Sequence, residues 1–266
     1  MPTVIMNQIK KHNITALCGT PTLFNYLSLY CMKNNNGKSV QTIAVSGECL
    51  TKETAEKIRV AFPNARIFNV YGLTEASPRV SYLPATEFDS IPNSVGVALM
   101  NTVIQVRNQK GEECAPDQIG VIWVKSRSIM KGYYKDPEII NQTLENDWLR
   151  TGDIGYKDGN GYLYVLSRAD DMIIKGGMNI YPQEIEGALQ NLTEIKECIA
   201  YGIGCGCGQT IAVDLVPSDP AKELGTKDFM KLFQKVLPAF QLPTQVNIVD
   251  TLERNASGKL IRKRLK

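Results

Sequence analysis

One histidine, His12, stands among 266 residues. That scarcity removes the usual base of His-assisted nucleophilic catalysis and leaves no Cys/His set to ligate a metal. His12 follows a short amphipathic stretch and reads as a surface or helix-end residue. The seven cysteines are odd in number and irregularly spaced. They supply no disulfide framework and read as free thiols of a reducing compartment. Cys205-Gly206-Cys207 has no second pair, and both a metal or redox pair and plain thiols fit it. No apolar run approaches the ~18 residues of a membrane span. No basic-then-apolar leader opens the chain, so no secretion signal is expected and a cytoplasmic location is. A net charge of +3 is too small to indicate a nucleic-acid or membrane-surface partner. No internal repeat or long low-complexity segment interrupts the chain.

What remains is an ordinary soluble composition, 43% hydrophobic and 21% charged. The length suits one large or two modest domains. Residues 4–11 predict an amphipathic helix, Ile14 to Cys18 a strand, and Thr20-Pro21 the start of a helix running toward Lys33. Thr42 to Val45 is a strand, Thr51 to Phe62 a helix stopped before Pro63, and Ile67 to Tyr71 a strand. Alternating strands and helices imply a partial parallel α/β subdomain over 1–92. From Ile91-Pro92 the pattern shifts to short strands and turns, a small antiparallel barrel-like subdomain over 93–167. The segment 168–266 mixes strands with helices near Pro182 to Gln190 and Lys227 to Leu237, an α+β domain.

Four motifs carry chemistry. In Asn69-Val70-Tyr71-Gly72-Leu73-Thr74-Glu75 a strand ends, Gly72 permits a tight turn, and a hydroxyl and a carboxylate emerge together. The carboxyl end of a parallel strand is where α/β sheets bind ligands. Thr74 can bond a phosphate oxygen, Glu75 can hold Mg²⁺ through hard oxygen, and Tyr71 offers a flat face to a purine. A plain strand-turn-helix capped by Thr74 also fits. Ser46-Gly47-Glu48 ends the preceding strand and is open to a share in that pocket or to an ordinary strand-to-helix turn. In Thr151-Gly152-Asp153 the carboxylate can accept both hydrogens of a ribose diol, or the segment is a surface turn. Between Ser167 and Glu186, Arg168 can reach ribose or phosphate. Asp170 stands where a hinge residue would, Gly176-Gly177 let backbone approach a ligand, and Pro182 starts a helix. Near the C-terminus, Asn255-Ala256-Ser257-Gly258-Lys259 presents one lysine able to stabilise developing negative charge. Lys263, Arg264 and Lys266 read as solvated charges.

The order and approximate spacing of Tyr-Gly-x-Thr-Glu, Thr-Gly-Asp, Arg-x-Asp with its Gly pair and Pro-x-Glu-Ile-Glu, and Asn-x-x-Gly-Lys resemble the adenylate-forming enzymes over essentially the whole chain. Members activate a carboxylate with ATP to an acyl-adenylate, and many pass the acyl group to coenzyme A or to a carrier's pantetheine. The resemblance implies Tyr71 against adenine, Thr74 on phosphate, Glu75 on Mg²⁺, and Asp153 and Arg168 on ribose. It implies a lid domain over 168–266 that pivots at Asp170, with Lys259 engaging carboxylate and phosphate during adenylation. Lys175, Gly176 and Gly177 would line the thiol tunnel in the rotated state. The stretch Gly-Gly-Met178-Asn179-Ile180-Tyr181-Pro182 looks more like the acyl- or aryl-CoA ligases than the peptide-synthetase branch.

One departure is large: the Ser/Thr/Gly-rich phosphate loop that precedes these motifs in the family is absent. The chain therefore resembles the C-terminal half of a synthetase. It is expected to need an N-terminal half for turnover, or to be an inactive module that binds nucleotide or a partner protein. Apolar surface left by the missing subdomain is expected to drive oligomerisation.

Overall fold

The structure, a computed structural model, describes residues 2–34, 37–135, 143–204, 208–255 and 260–262. The fold is mixed α/β. The chain divides into two compact units, Met1–Val165 and Leu166–Lys266. No helix among the described residues is long and apolar enough to cross a membrane.

The first unit opens with α1 (Pro2–Lys11), β1 (Ala16–Gly19), α2 (Pro21–Asn34), β2 (Thr42–Ser46), α3 (Lys52–Ala61) and β3 (Arg66–Leu73). Thr20 starts α2, its hydroxyl accepting from the Leu23 amide at 3.2 Å. Thr51 caps α3 by accepting from Thr54 N at 3.2 Å, which satisfies one of the orphan amides of a first turn. β1, β2 and β3 are parallel, with Ser46 paired to Val70 at the carboxyl ends. The core beneath them joins Ile43 and Val45 to Phe24, Leu27, Ile58, Phe62 and Ile67. Phe24 meets Phe62 edge-on at 6.3 Å, a favoured aromatic geometry. The sheet then turns antiparallel through β4 (Ser77–Tyr82) and β5 (Val97–Ala98).

A second, antiparallel sheet holds β6 (Thr102–Arg107), β7 (Gly120–Ser126), β9 (Trp148–Lys157) and β10 (Leu163–Arg168), with β8 (Leu144–Glu145) paired to β9. Its inner face packs Ile104, Val106, Ile122, Val124, Leu149 and Leu163. Arg107 lies between the chain's two tryptophans, its guanidinium carbon 4.7 Å from the ring centre of Trp123 and 4.5 Å from that of Trp148. Gln105 Oε1 accepts from Nε and Nη2 at 2.9 and 2.7 Å, which holds the plane between the rings. Each such contact contributes about 0.5–1 kcal/mol when partly exposed. Arg107→Ala is therefore expected to lower stability by about 1–2 kcal/mol and to shift tryptophan emission. Arg107→Lys should recover little of this, because a point charge cannot stack on two faces. Denaturant titration followed by fluorescence checks both.

The second unit contains β11 (Ile173–Lys175), β12 (Met178–Ile180), α4 (Pro182–Gln190), β13 (Ile195–Ile203), β14 (Thr210–Pro217), α5 (Thr226–Val236) and β15 (Gln245–Ile248). β13 and β14 are antiparallel, and β15 joins β14 in parallel. One face of this sheet presents Cys198, Ala200, Ile211, Val213 and Leu215 to Ile185 and Leu189 of α4 and to Phe229 and Phe233 of α5. On β14, Asp214 is buried and accepts from Tyr201 Oη at 2.8 Å and from Asn247 Nδ2 at 2.6 Å. Both donors come from the flanking strands, so the carboxylate is satisfied within the sheet.

Candidate functional site

In the first unit the strand ends carry the candidate residues. β3 does not stop at Tyr71. It continues to Leu73 and returns as β4, and the register slips between Tyr71 and Leu73. Gly72 sits in that irregularity, and a Cβ there would lie 2.2 Å from the Pro78 carbonyl oxygen. The tight turn expected at Gly72 falls two residues later, and the missing side chain instead admits the opposing backbone. The turn falls on Thr74 and Glu75 and is closed by Ala76 N donating to Leu73 O at 3.2 Å. Thr74 is exposed and Glu75 half-buried at its tip.

Asp153 is not on a surface turn. It lies within β9 and is 7% exposed. The β7–β9 register shifts between Val121 and Trp123, so that Thr151, Gly152 and Asp153 together face Ile122. This bulge re-aims the Asp153 side chain. Thr151 locks it: its hydroxyl donates to Ile122 O at 2.9 Å and accepts from Asp153 N at 3.1 Å. The outcome is a direct bond, Tyr71 Oη donating to Asp153 Oδ2 at 2.5 Å across 82 residues. Two motifs read separately in the sequence thus meet.

Other candidates have local structural partners. Glu48 Oε2 accepts from Thr22 N at 3.2 Å and Thr22 Oγ1 at 2.7 Å, placing a carboxylate at the positive end of α2. Ser46 ends β2 beside Val70, and Gly47 follows with φ 92°. Asn69 is buried and donates to the Pro92 and Ser94 carbonyls at 3.1 and 2.9 Å, which ties the approach to β5. Val70 is buried beside it.

In the second unit, Arg168 precedes a single 3₁₀ turn, Ala169–Asp171, on which Asp170 is exposed. Lys175 Nζ donates to Phe240 O at 3.1 Å and Leu242 O at 3.2 Å. Gly176 and Gly177, with φ 59° and 82°, form the two-residue connection of the β11–β12 hairpin. Positive φ at both positions is what such a turn requires. A Cβ on either would meet nothing within 4 Å, so backbone conformation, not crowding, selects glycine here. Lys259, Lys263, Arg264 and Lys266 lie outside the described residues, as do Cys205 and Cys207. Among the described thiols, burial pushes Cys31 up to about 11 and raises Cys198 well above its ordinary range.

Two contacts had no sequence signal. Tyr133 Oη donates to Glu75 Oε1 at 2.8 Å, from 58 residues away. Arg262 grips both carboxylate oxygens of Glu186, with Nη2 at 2.9 Å from Oε2. Only a residue type is legible at each position; the pairing depends on tertiary approach.

The model of the family described as "AMP-binding enzyme" matches residues 1–134, and its companion, "AMP-binding enzyme C-terminal domain", matches 184–259. The chain belongs to the AMP-binding enzyme family. Among curated members, a long-chain-fatty-acid–CoA ligase of Salmonella typhimurium is 30% identical over 98% of this chain and 46% of its own length. A 2-succinylbenzoate–CoA ligase of Oceanobacillus iheyensis is 36% identical over 76% of this chain and 41% of its own. The solved o-succinylbenzoate CoA synthetase of Bacillus subtilis, in complex with the acyl-adenylate OSB-AMP, aligns at TM-score 0.86 and 28% identity. The match covers 100% of this chain and 54% of that one. The same enzyme has been solved with ATP and magnesium ion, at TM-score 0.85. The chain spans about half the length of the curated relatives it matches.

Proposed function

We propose that this chain supplies the adenosine-binding strands and the lid of an acid–CoA ligase, which converts a carboxylate and ATP to an acyl-adenylate and then to a thioester. The observation that carries the reading is the junction of Tyr71 with Asp153, beside the Thr74–Glu75 turn, in a member of this family. Tyr71 gives adenine a flat wall. Asp153, with Arg168, accepts and donates to the ribose hydroxyls. Thr74 donates to a phosphate oxygen. The donor set at the turn fits Mg²⁺: one hard carboxylate, Glu75, beside a hydroxyl, leaving the rest of the shell to water and phosphate oxygens. When bound, Mg²⁺ offsets charge on the phosphates as pyrophosphate departs. Lys259 meets the carboxylate and phosphate in the first half-reaction. The division of the chain just before Asp170 supports that residue as the pivot of a lid, which would bring Lys175, Gly176 and Gly177 to the thiol of coenzyme A or a carrier's pantetheine in the second. An N-terminal half bearing the phosphate loop would complete the site, in a cytoplasmic setting.

Acid-dependent exchange of labelled pyrophosphate into ATP tests this. Exchange should occur when the chain is combined with the N-terminal half of a relative, and little by the chain alone. No exchange in the mixture, together with no AMP binding by calorimetry, would leave a module without nucleotide chemistry.

A further inference from the structure

The carboxylate at the Thr74–Glu75 turn is held from outside its own hairpin. The segment that leaves β7 folds back through a serine-rich turn, Ser126 Oγ lying 3.0 Å from Ser128 Oγ and accepting from Ser128 N at 3.3 Å. Ile129 packs against the core of the second sheet. Met130 N then donates to the Glu75 carbonyl at 2.8 Å, and Tyr133 Oη donates to Glu75 Oε1 at 2.8 Å. One residue of the turn is thus gripped at both its backbone and its side chain by a loop from another sheet.

We propose that Tyr133 is a positioning residue that orients the Glu75 carboxylate for a divalent cation. The inference rests on the reading of Glu75 as the cation's ligand. A glutamate on a half-exposed turn samples several rotamers, and a cation that binds it must select one. The phenol fixes that choice beforehand. A single donor on Oε1 leaves the carboxylate ample acceptor capacity. The donor is also neutral. A lysine or arginine in its place would orient the group equally well but cancel the charge that attracts the cation, whereas a phenol leaves it intact. Carboxylates that ligate metals are generally held by such outer hydrogen bonds, and losing one costs about 10–100-fold in metal affinity. The contact joins residues 58 apart, so it couples the cation site to the placement of the segment 126–133.

The test uses the full chain, with Mn²⁺ as probe in the presence of ATP, read by electron paramagnetic resonance. Binding of AMP in EDTA is measured by calorimetry alongside. Tyr133→Phe keeps the ring and removes only the hydroxyl. It should weaken Mn²⁺ retention about tenfold or more, while AMP affinity in EDTA and the thermal midpoint stay near wild type. Glu75→Gln should abolish the protein's share of Mn²⁺ binding. If Tyr133→Phe retains Mn²⁺ as wild type does while Glu75→Gln loses it, the positioning role is overturned and Glu75 keeps its place. An equal loss of metal-free AMP binding in Tyr133→Phe would also overturn it, in favour of a general structural role. Identical Mn²⁺ binding in wild type and Glu75→Gln would overturn the ligand reading itself, and this inference with it.

Discussion

Arg262→Ala is expected to destabilise the second unit by about 3–5 kcal/mol, because it strands a buried carboxylate. The Arg262 and Glu186 side chains are 16% and 12% exposed. Arg262 holds Glu186 through both terminal nitrogens, donates from Nη1 to the Ala200 carbonyl at 2.6 Å, and has its Nε 3.4 Å from Asp171 Oδ2. Glu186 Oε1 also accepts from Ala200 N at 2.8 Å, so α4, β13 and the C-terminal segment share one polar knot. Burial raises the Glu186 carboxyl above its ordinary range, and Arg262 pulls it back. Without Arg262 the native carboxyl shifts further up, while the unfolded one stays near about 4.3. Between those values the native state then binds more protons than the unfolded state, so the variant loses stability as pH rises through the window. The penalty should accordingly be smaller at pH 5 than at pH 8, which urea titrations at the two pH values will show. Arg262→Met combined with Glu186→Leu should recover much of the loss, since it removes the buried Glu186 carboxylate together with its partner, while Asp171, 15% exposed, still loses that cation. An additive double variant would mean that the two side chains do not act as a pair.

Much of the chain's secondary structure follows from local chemistry. α4 spans Pro182–Gln190 as expected, because proline opens it and its apolar residues Ile185 and Leu189 recur on one face. α3 ends where Pro63 forbids another turn. Two strands carried no such signal. β4 begins Ser-Pro-Arg and lacks an apolar alternation, since Val80 and Ser81 are buried on successive positions. β12 is only three residues long and owes its state to the glycine turn before it. At the site, residue types were legible but partners were not. Glu48 is open in the sequence to a pocket or to an ordinary strand-to-helix turn, and its contact with Thr22 has no local signal; Asp153 follows a glycine that suggests a turn, and the bulge in β9 has no local signal either. Tyr71 with Asp153, Glu75 with Tyr133 and Glu186 with Arg262 are separated by 82, 58 and 76 residues. Such pairs are fixed by strand register and loop placement, which no local pattern encodes.

The Tyr71–Asp153 pair should set the affinity for AMP. If Asp153 accepts both hydrogens of a ribose diol, Asp153→Asn exchanges a two-hydrogen acceptor for an amide that can accept through one atom only. Hydrogen bonds to a charged acceptor contribute about 1.5–3 kcal/mol each. Losing their charged character at both hydroxyls should weaken AMP binding about 100-fold, equivalent to about 2.7 kcal/mol. Tyr71→Phe keeps the wall against adenine and removes only the bond that aims Asp153, so its loss should be nearer tenfold. Calorimetry with AMP and 2′-deoxy-AMP separates direct from indirect effects. Wild type should discriminate against the deoxy ligand by about tenfold, and Asp153→Asn should discriminate far less, because the group that senses the hydroxyl is gone. Tyr71→Phe should fall between, since its carboxylate is present but loosely aimed. Undiminished discrimination in Asp153→Asn would place the ribose elsewhere and leave the 2.5 Å bond as a structural clasp between β3 and β9.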